Sequence, residues 1–466
     1  MDNTGNTNPE APKKGLWKFI DDMEGDKVIW IIVLLLILIS ILAIFSSTPL
    51  LPGKTRIEVM KDHGLVSAAG LVLIIGLCNI RKIGIFRFIS QFGFFITFLF
   101  LLILDFHMKL GILNAEYING AWRTLSFFGF QIHVFEIAKV AMVMYLAWAL
   151  HAFKQDRDAL EAGEESPTFG LANWLSTKKN LEFLKKPFWK RAFYIYIPSL
   201  IVCGMIAPGS NSSAIFMGII LIGTMMIGGV PFKELLIAGG MLVVTALILF
   251  GIHKATDGHF MTRLKTFTSR IEARYETDIL ENLKKGTKEF DDAVDDLRQP
   301  YGAKIAVHEG GLLGKGSGKS TQKYSVTHIY SDYMYSFLIE EYGLIGGIVI
   351  LLLYLSLIAR SSMIIRMCSN GFAKIAVGGL AFLITGQAFM HMLVSVDIIP
   401  MTGQTLPLLS HGASAFLVTC GAFGIILSIS RMAKKKMQNI EENTDIHKDD
   451  IQARLEILEQ IDDANL

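Results

Sequence analysis

Ten runs of mostly apolar residues alternate with polar or charged segments along the chain. A transmembrane helix needs about 20 apolar residues to cross the hydrocarbon core of a bilayer, and shorter runs suffice where a helix packs against protein. The runs cover residues 28–46, 64–80, 88–104, 132–150, 192–207, 214–230, 235–252, 336–359, 375–396 and 413–430. The pattern therefore predicts an all-α polytopic membrane protein with about ten transmembrane helices.

Lysine and arginine are concentrated in every second segment between these runs. The basic set begins with residues 1–27 and includes the loop 151–191, whereas the alternate short segments contain few basic residues. Because short cytoplasmic loops carry an excess of Lys and Arg, the basic side and both termini are predicted to be cytoplasmic. The segments predicted to lie on the outer face are 105–131, 253–335 and 397–412.

Charge also divides the chain into regions. We expect a cytoplasmic N-terminal tail over 1–27, a ten-helix membrane domain over 28–431 and a charged cytoplasmic C-terminal tail over 432–466. The membrane domain contains one large extracytoplasmic loop, 253–335. Within that loop, the stretch 272–299 is predicted to be helical.

Composition agrees with a membrane protein. Of all residues, 52% are hydrophobic and 18% are charged, which is too apolar for an ordinary soluble domain. The formal net charge of +2 gives no sign of a nucleic-acid partner. The cysteines match neither a metal-ligand spacing nor a secreted disulfide framework, and are interpreted as buried thiols. They are Cys78, Cys203, Cys368 and Cys420.

The fourth apolar run carries two charged residues, Glu136 and Lys139. Their spacing puts them on one face of a helix. Charged residues inside a membrane are costly, and they usually face the interior of a bundle or a water-filled cavity. Two interpretations stay open from these residues alone. One is a buried pair that neutralises itself and joins two helices, and the other is a pair at a polar cavity near the outer end of the span.

A glycine-rich segment, 311–321, contains Lys315 and Lys319 and at first sight resembles a phosphate-binding P-loop. A P-loop requires glycine five residues before its Gly-Lys-Ser end, and Leu313 occupies that position. No buried strand precedes the segment, and it is predicted to lie outside the cell, so nucleotide binding is excluded. The remaining interpretations are a solvated linker and a flexible loop that contacts phosphate through backbone amides and lysine charge.

Two acidic groups occur in the large outer loop and just after it. Glu340 and Glu341 lie just inside the eighth run, where pairing with Lys or Arg is at least as well supported as a catalytic role. The members of the second group are Asp291, Asp292, Asp295 and Asp296. This second group is either a solvated helix face or the source of a divalent-cation ligand or a general base. A positioned carboxylate can accept the proton of an attacking sugar hydroxyl.

The most distinctive stretch runs from Pro400 to Ser414. Two prolines and two glycines preclude a helix here, although apolar runs lie on both sides. Irregular backbone at membrane depth is tolerated only where protein or a cavity surrounds it. On its own, His411 within this stretch is more typical of a satisfied interface histidine than of a ligand.

Several of these motifs occur together in one known family. Its last outer loop reads Pro-x-Thr-Gly-x-x-Leu-Pro-x-x-Ser-Tyr-Gly-Gly-Ser. The matching residues here are Pro400, Thr402, Gly403, Leu406, Pro407, Ser410, Gly412 and Ser414. Further similarity lies in Gly120 with Arg123, in Glu136 with Lys139, in Ser331-Asp332 before Glu340-Glu341, and in the Ser-x-Gln-Lys pattern of 320–323. From about Gly120 to Arg431, the chain therefore resembles the SEDS family of shape, elongation, division and sporulation proteins, and is closest to its cell-division branch.

The chain also departs from the family pattern. The family's Tyr-Gly-Gly is His411-Gly412-Ala413 here, and its Asn before the last outer loop is His391. The loop over 270–299 is longer than usual. Counting back from Gln299, the family's catalytic Asp falls on Asp292, with Asp291, Asp295 and Asp296 as alternates.

The resemblance implies a peptidoglycan glycosyltransferase of the bacterial cytoplasmic (inner) membrane, with its active site facing the periplasm. Its substrate would be lipid II, a disaccharide-pentapeptide on undecaprenyl pyrophosphate, polymerised for the septum during cell division. Asp292 would be the base, and Arg123, Lys139 and a divalent cation (Mg²⁺ or Mn²⁺, with unknown ligands) would stabilise the pyrophosphate. Glu136 would hold Lys139 in place. Other expected substrate-binding residues are Lys319, Gln322, Asp332, Thr402, Ser410, His411 and Ser414.

The implied partners are a class B penicillin-binding protein, which is a transpeptidase, and other proteins of the division machinery. Neither nucleic acid nor a nucleotide is expected. Two other functions stay open: a flippase for lipid II or a transporter of another lipid, and a non-catalytic scaffold of the division machinery. Because the polar residues are concentrated on one predicted face, the sequence favours a polymerase over a transporter.

Overall fold

The structure is a computed structural model that describes residues 24–48, 55–118, 121–161, 186–255 and 287–464. Most of the predicted N-terminal tail, of the loop 151–191 and of the first part of the large outer loop lies outside these residues. The helices are α1 (Lys27–Ser47), α2 (Arg56–Cys78), α3 (Ile83–Asp105), α4 (Val134–Glu161), α5 (Pro187–Arg191), α6 (Ile197–Ile206), α7 (Asn211–Ile227), α8 (Phe232–Ala255), α9 (Lys288–Gly310), α10 (Met334–Met367), α11 (Gly371–Ser395) and α12 (Ala413–Ala464).

Each of the ten predicted runs lies mostly on a helix, although the ends of runs and helices differ by a few residues. The run 192–207 lies on a π-helical turn, Ala192–Tyr196, and on the α6 helix that follows it. Within the described residues, seven helices are long and apolar enough to cross a membrane, and α7 is apolar but shorter. These seven are α1, α2, α3, α4, α10, α11 and α12. The prediction of a polytopic helical membrane protein is confirmed.

Three helices form the centre of the bundle. In α4, α11 and α12, 72% of an 18-residue apolar stretch of the helix is buried inside the protein, compared with 28% of such a stretch in α2, α3 and α10. The outward sides of α2 and α3 carry large exposed apolar side chains such as Leu65, Val72 and Phe95. Such side chains are what a helix in contact with lipid presents. The charged pair of the fourth run therefore lies on a central helix.

Contacts between loops follow the alternation predicted from charge. At one end of the bundle, Arg360 at the end of α10 forms an ion pair with Asp26 at the start of α1, 2.6 Å apart. At the other end, Ser410 donates a hydrogen bond to the carbonyl of Ser331, 2.7 Å away. Both pairs join segments predicted to lie on the same face. We call the end with Asp26 the inner end and the end with Ser410 the outer end.

The all-α prediction is incomplete at the outer end, where residues 113–133 form a small antiparallel sheet. Its strands are β1 (Leu113–Ile118), β2 (Ala121–Phe127) and β3 (Phe130–His133), in the order β1-β2-β3. The turn between β2 and β3 consists of Phe128 and Gly129, with φ angles of 48° and 83°. Positive φ at both positions is the geometry of a two-residue type I′ hairpin. Since β3 leads directly into α4, the fourth span begins at Val134.

Several helices are capped at their N-termini by a polar side chain. The carboxylate of Asp26 accepts hydrogen bonds from two backbone N–H groups in the first turn of α1, and the side chain of Asn370 does the same for α11. At its other end, α12 continues without a break from the tenth run into the predicted cytoplasmic tail. Of the predicted helix over 272–299, residues 272–286 lie outside the described residues, and the part from Lys288 onward belongs to α9, which continues to Gly310.

The helix α10 is interrupted at Gly343, whose backbone angles are φ 72° and ψ −178°. A break leaves helical N–H and C=O groups without partners, which is costly inside a membrane protein. The glycine segment 311–321 supplies these partners. Two of its N–H groups donate to the carbonyls of Glu340 and Glu341, and the N–H of Leu344 donates back to the segment, each at 2.9 Å. The segment is therefore ordered against α10 and is not a solvated linker.

Replacing Gly343 with alanine should strongly destabilise the protein. A Cβ atom at this position would lie 2.2 Å from the carbonyl oxygen of Leu312, and its backbone conformation is nearly exclusive to glycine. We expect the free energy of unfolding to fall by about 3 kcal/mol or more, measured as a lower melting temperature of the purified protein. The matched control is Gly240→Ala on α8, where no atom lies within 4 Å of the added Cβ. Equal melting temperatures for the two variants would contradict this account of the break.

Candidate functional site

Lys139 lies at the centre of a buried polar cluster near the outer end of α4. Its side chain is 2% exposed, and its Nζ lies 2.7 Å from Oε1 of Glu136. The same nitrogen lies 2.8 Å from Oε1 of Gln387 and 2.9 Å from Oε1 of Gln404. An ammonium group has three N–H bonds, so all of them are used. Lys139 thereby joins α4 to α11 and to residues 396–412, which we call the outer segment.

The partners of Lys139 are held by a further layer of hydrogen bonds. The Nε2 atom of Gln387 donates to the carbonyl of Thr405 at 3.0 Å, and Nε2 of Gln404 donates to Oγ of Ser213 at 2.8 Å. The ring of His391 lies 2.8 Å from the carbonyl oxygen of Gln404. Because each amide oxygen and nitrogen has a suitable partner, the orientation of both glutamines follows from the network. The outer segment is thus fixed to α7 and α11.

The Lys139 cluster touches a crevice through Glu136. The side chain of Glu136 is 17% exposed, and together with Lys139 it lines a narrow gap between α4, α11 and α12 with room for about one water molecule. Both interpretations of the pair therefore describe part of the structure, since the pair neutralises itself and also reaches a crevice. For Lys139 to contact a phosphate directly, that phosphate would have to replace one of its three present acceptors.

Two predicted serines hold the outer segment to its neighbours. Oγ of Ser410 donates to the carbonyl of Ser331 and accepts from the N–H of Leu406 at 2.8 Å. Oγ of Ser414 accepts from the N–H of His133 at 3.1 Å, which joins the start of α12 to the end of β3. These hydrogen bonds replace those that an irregular backbone cannot make with itself.

His411 and Thr402 also lie in the outer segment. The ring of His411 lies 6.0 Å from the ring of His63 and 5.8 Å from that of Tyr330, between centroids. Oγ1 of Thr402 is buried, with no hydrogen-bond partner among the residues that the structure describes.

Arg123 occupies a β-bulge of the outer sheet. Glu116 pairs with Thr124 and Tyr117 pairs with Trp122, so Arg123 is the additional residue between the two pairs. A bulge changes the direction of a side chain and often occurs beside an active site. The half-buried Arg123 is therefore set apart from the regular alternation of β2.

His133, between β3 and α4, should make stability depend on pH. Burial lowers its pKa below the ordinary value of 6.5; Glu136 opposes this effect, and Arg123 and Lys139 add to it. Below about pH 6.5 the unfolded chain binds a proton that the folded protein does not, so the free energy of unfolding falls as the pH drops. We expect His133→Gln to show a smaller loss of melting temperature than wild type between about pH 7 and about pH 5. Identical pH dependence of the two proteins would contradict this effect.

Glu340 and Glu341 have the structural role that their position favoured. Oε1 of Glu340 lies 2.9 Å from Nζ of Lys315. Oε1 of Glu341 accepts from the N–H of Gly318 at 3.0 Å and lies 3.7 Å from Nζ of Lys323. The predicted pairing with lysine is confirmed. Lys315 is therefore committed to a carboxylate and holds the glycine segment in place.

Three other predicted residues lie around this segment. Lys319 is exposed, and Gln322 is half-buried in a 3₁₀ turn, Gln322–Tyr324, with its amide oxygen beside Gly302 of α9. Asp332 is half-buried, and its Oδ1 accepts from the hydroxyl of Ser331 at 3.2 Å. All three residues lie at the outer end of the bundle, as the Lys139 cluster does.

The four predicted aspartates lie on α9, although their side chains are outside the described residues. The C-terminal half of this helix packs through Ala303 and Ala306, which are fully buried. Lys304 forms an ion pair with Asp397 of the outer segment, with a nitrogen–oxygen distance of 2.5 Å. The helix that carries the acidic residues is therefore attached to the same segment that binds Lys139.

The described residues contain no group of three or more His, Cys, Asp or Glu side chains that could hold a metal ion. The carboxylates of Asp291, Asp292, Asp295 and Asp296 lie outside the described side chains. A divalent cation stays a prediction that depends on those residues.

Gln387 and Gln404 are the residues of the cluster that sequence reasoning missed, together with His391 and Ser213. Gln387 lies in the ninth apolar run, and the rule that singled out Glu136 and Lys139 applies equally to a buried amide in a transmembrane helix. Gln404 lies within the distinctive Pro400–Ser414 stretch. Lys139 lies 265 positions away along the chain, so no local sequence pattern predicts its contact with Gln404.

Comparisons with known proteins cover most of the chain. A family model described as "Cell cycle protein", for FtsW, RodA and SpoVE, matches residues 26–435. A probable peptidoglycan glycosyltransferase FtsW of Geobacter metallireducens is 26% identical over 317 residues, which are 68% of this chain and 71% of the relative. The peptidoglycan glycosyltransferase MrdB of Escherichia coli K12 is 34% identical over 140 residues, which are 30% of this chain and 38% of the relative.

Solved structures share the fold at low sequence identity. A chain of a peptidoglycan synthase complex aligns with a TM-score of 0.58 and 18% identity, covering 88% of this chain and 98% of that chain. The rod shape determining protein RodA of Thermus thermophilus aligns with a TM-score of 0.54 and 17% identity, again covering 88% and 98%. The helical bundle is therefore of the RodA type.

Proposed function

Because the chain belongs to the FtsW/RodA/SpoVE family of cell cycle proteins, the SEDS family, we propose that it is a peptidoglycan glycosyltransferase of the bacterial cytoplasmic membrane. Its substrate is lipid II, and its reaction takes place at the outer end of the bundle, which faces the periplasm. The 4-hydroxyl of the acceptor's N-acetylglucosamine loses its proton and attacks the anomeric carbon of the donor's N-acetylmuramic acid. The bond to the lipid pyrophosphate breaks, and the configuration at that carbon inverts.

The observation that best supports this proposal is the attachment of the outer segment on both sides. Gln404 of the segment accepts a hydrogen bond from the buried Lys139. Asp397 of the same segment forms an ion pair with Lys304 of α9. The Lys139 cluster and an acid-bearing helix are thus joined through fewer than ten residues of irregular backbone. Glycosyl transfer needs a base and positive charge at one site, and in this proposal α9 supplies the base and Arg123 the positive charge.

The register of α9 favours Asp292 as the base. Ala303 and Ala306 mark the face of this helix that packs against the bundle. Asp292 lies eleven positions before Ala303, which is three helical turns, so its backbone position belongs to the same face. Asp296, seven positions before Ala303, and Asp295, eleven positions before Ala306, flank that face on either side, whereas Asp291 lies about 120° around the helix from Ala303. Asp292 would accept the proton of the acceptor hydroxyl.

Lys139 acts in this proposal mainly as a positioning residue. Its three donors hold Glu136, Gln387 and Gln404, so it fixes the outer segment rather than presenting a free ammonium group. Glu136 neutralises most of its charge. Arg123, which together with Lys139 acts on the pKa of His133, lies at the same end and would stabilise the charge of the leaving pyrophosphate.

The proposed partner is a class B penicillin-binding protein that crosslinks the strands this enzyme polymerises. A similar chain occurs in a solved peptidoglycan synthase complex that couples polymerisation to crosslinking. The Ser-x-Gln-Lys pattern of 320–323 favours a septal role together with other division proteins.

The proposal is tested by supplying the purified full-length protein and its transpeptidase with fluorescent lipid II. We expect glycan strands to form, resolved as a ladder of products on a gel. The same protein reconstituted in vesicles should not move lipid II between leaflets. Movement of lipid II without polymer would replace the proposal with a flippase. If neither polymerisation nor movement of lipid II is detected in the presence of the cognate partner, the protein would instead be a non-catalytic scaffold.

A further inference from the structure

A cavity of about 550 Å³ lies at the inner end of the bundle, far along the chain from the residues of the outer site. It is bordered by the start of α3, by the turn between α10 and α11 and by α12. Part of its lining is apolar, from Ile83, Met367 and Ile429. The charged side chains that line it are Arg81, Arg431, Lys435 and Lys436, and no Asp or Glu is among its described lining residues.

Most of this positive charge is not neutralised within the cavity. Arg431 forms an ion pair with Glu24. Lys436 instead donates to the neutral hydroxyl of a serine at 2.8 Å and has no ion pair among the described side chains. The side chains of Arg81 and Lys435 are exposed. The cavity therefore presents several cations to whatever enters it.

The cavity lies at the level of the membrane where the surrounding helices begin or end. The α3 helix begins at Ile83 and α11 begins at Gly371, while the apolar run on α12 ends near 430. Lipid head groups lie at this level of a membrane protein. Asn370 and Ala373, at the first turn of α11, also line the cavity. The positive end of that helix dipole adds to the attraction for an anion.

We propose that this cavity binds the phosphodiester head group of an anionic phospholipid from the inner leaflet. The cations contact the phosphate, and the apolar lining contacts the glycerol and the first carbons of the acyl chains. Basic pockets between transmembrane helices on the cytoplasmic side recognise anionic lipids in this way. A soluble phosphate would use the cations but not the apolar lining. The inference concerns the inner end only and does not depend on the reaction proposed for the outer end.

The test measures the dissociation constant of fluorescent phosphatidylglycerol for the purified full-length protein in neutral detergent. In the triple variant Arg81→Gln/Lys435→Gln/Lys436→Gln, we expect affinity to fall about fivefold for each cation removed, or about 100-fold together. The matched control is Lys154→Gln/Lys186→Gln/Lys233→Gln, which removes the same charge from exposed residues at the same end that neither line the cavity nor adjoin a lining residue. Its affinity should stay within about twofold of wild type.

Competitors identify the source of the phosphate. We expect unlabelled phosphatidylglycerol to displace the probe, and phosphatidylcholine, glycerol phosphate and inorganic phosphate to be much weaker. Equal loss of affinity in both triple variants, or equal competition by phosphatidylcholine, would overturn the proposal. Equal competition by glycerol phosphate would replace the lipid with a soluble anion. If the triple variant does not fold, Arg81→Gln and Lys435→Gln alone should each weaken binding about fivefold, and no change in either would also overturn it.

Discussion

Replacing Lys139 with methionine is expected to lower both stability and glycan synthesis. The change removes the donor from three buried oxygens and leaves the carboxylate of Glu136 without its cation. Breaking a buried ion pair in this way costs about 3–5 kcal/mol. The outer segment also loses its attachment through Gln404, so polymerisation of lipid II should fall by at least about 100-fold. Melting temperature and the initial rate of strand synthesis measure the two effects.

A double variant separates stability from positioning. Glu136→Gln/Lys139→Met removes both charges together, and replacing a buried pair by uncharged side chains is often tolerated. We therefore expect the double variant to regain a large part of the stability lost in Lys139→Met. Synthesis should stay low, because no donor then holds the amide oxygen of Gln404. Recovery of full synthesis in the double variant would show that Lys139 serves stability alone.

The bundle and the charged pair could be predicted because they depend on local properties of the sequence. The length of an apolar run and the excess of Lys and Arg beside it are local, and they predicted the polytopic helical bundle and the grouping of the loops at two ends. The cost of a charge inside a membrane is also local, and it singled out Glu136 and Lys139. It likewise indicated that Glu340 and Glu341 would face protein and pair with Lys or Arg, and both pair with lysine.

The remaining parts of the site depend on contacts between distant residues. The glycine segment 311–321 appeared mobile from its composition, yet it supplies the hydrogen bonds that the break at Gly343 removes from α10. Gln404 meets Lys139 only because α4, α11 and the outer segment converge. The sheet over 113–133 also has no transmembrane pattern. Such pairings arise from the packing of whole elements, and no periodicity along the chain records them.

Replacing Asp292 with asparagine is expected to lower the rate of glycan synthesis while leaving the fold intact. A general base contributes about 100- to 10,000-fold to a rate, so strand synthesis should fall by about that factor. The melting temperature should change by no more than a few degrees, because the C-terminal half of α9 docks through Ala303, Ala306 and the Lys304–Asp397 pair. Initial rates with fluorescent lipid II and thermal melting of the same preparations measure both quantities.

The neighbouring aspartates provide the controls for this prediction, because they share the local charge but differ in helical register. Asp291→Asn should retain a rate within about tenfold of wild type, since its position lies about 120° around the helix from Ala303. Asp292→Glu keeps a carboxylate and should lose less activity than Asp292→Asn. The rate of the wild type should decline at acidic pH, where the carboxylate of the base becomes protonated. If Asp292 is the base, this decline should be absent in Asp292→Asn. If the asparagine variant of Asp295 or Asp296 loses more activity than Asp292→Asn, that residue is the base instead. The substrate would then meet a different face of α9 from the one that Asp292 occupies.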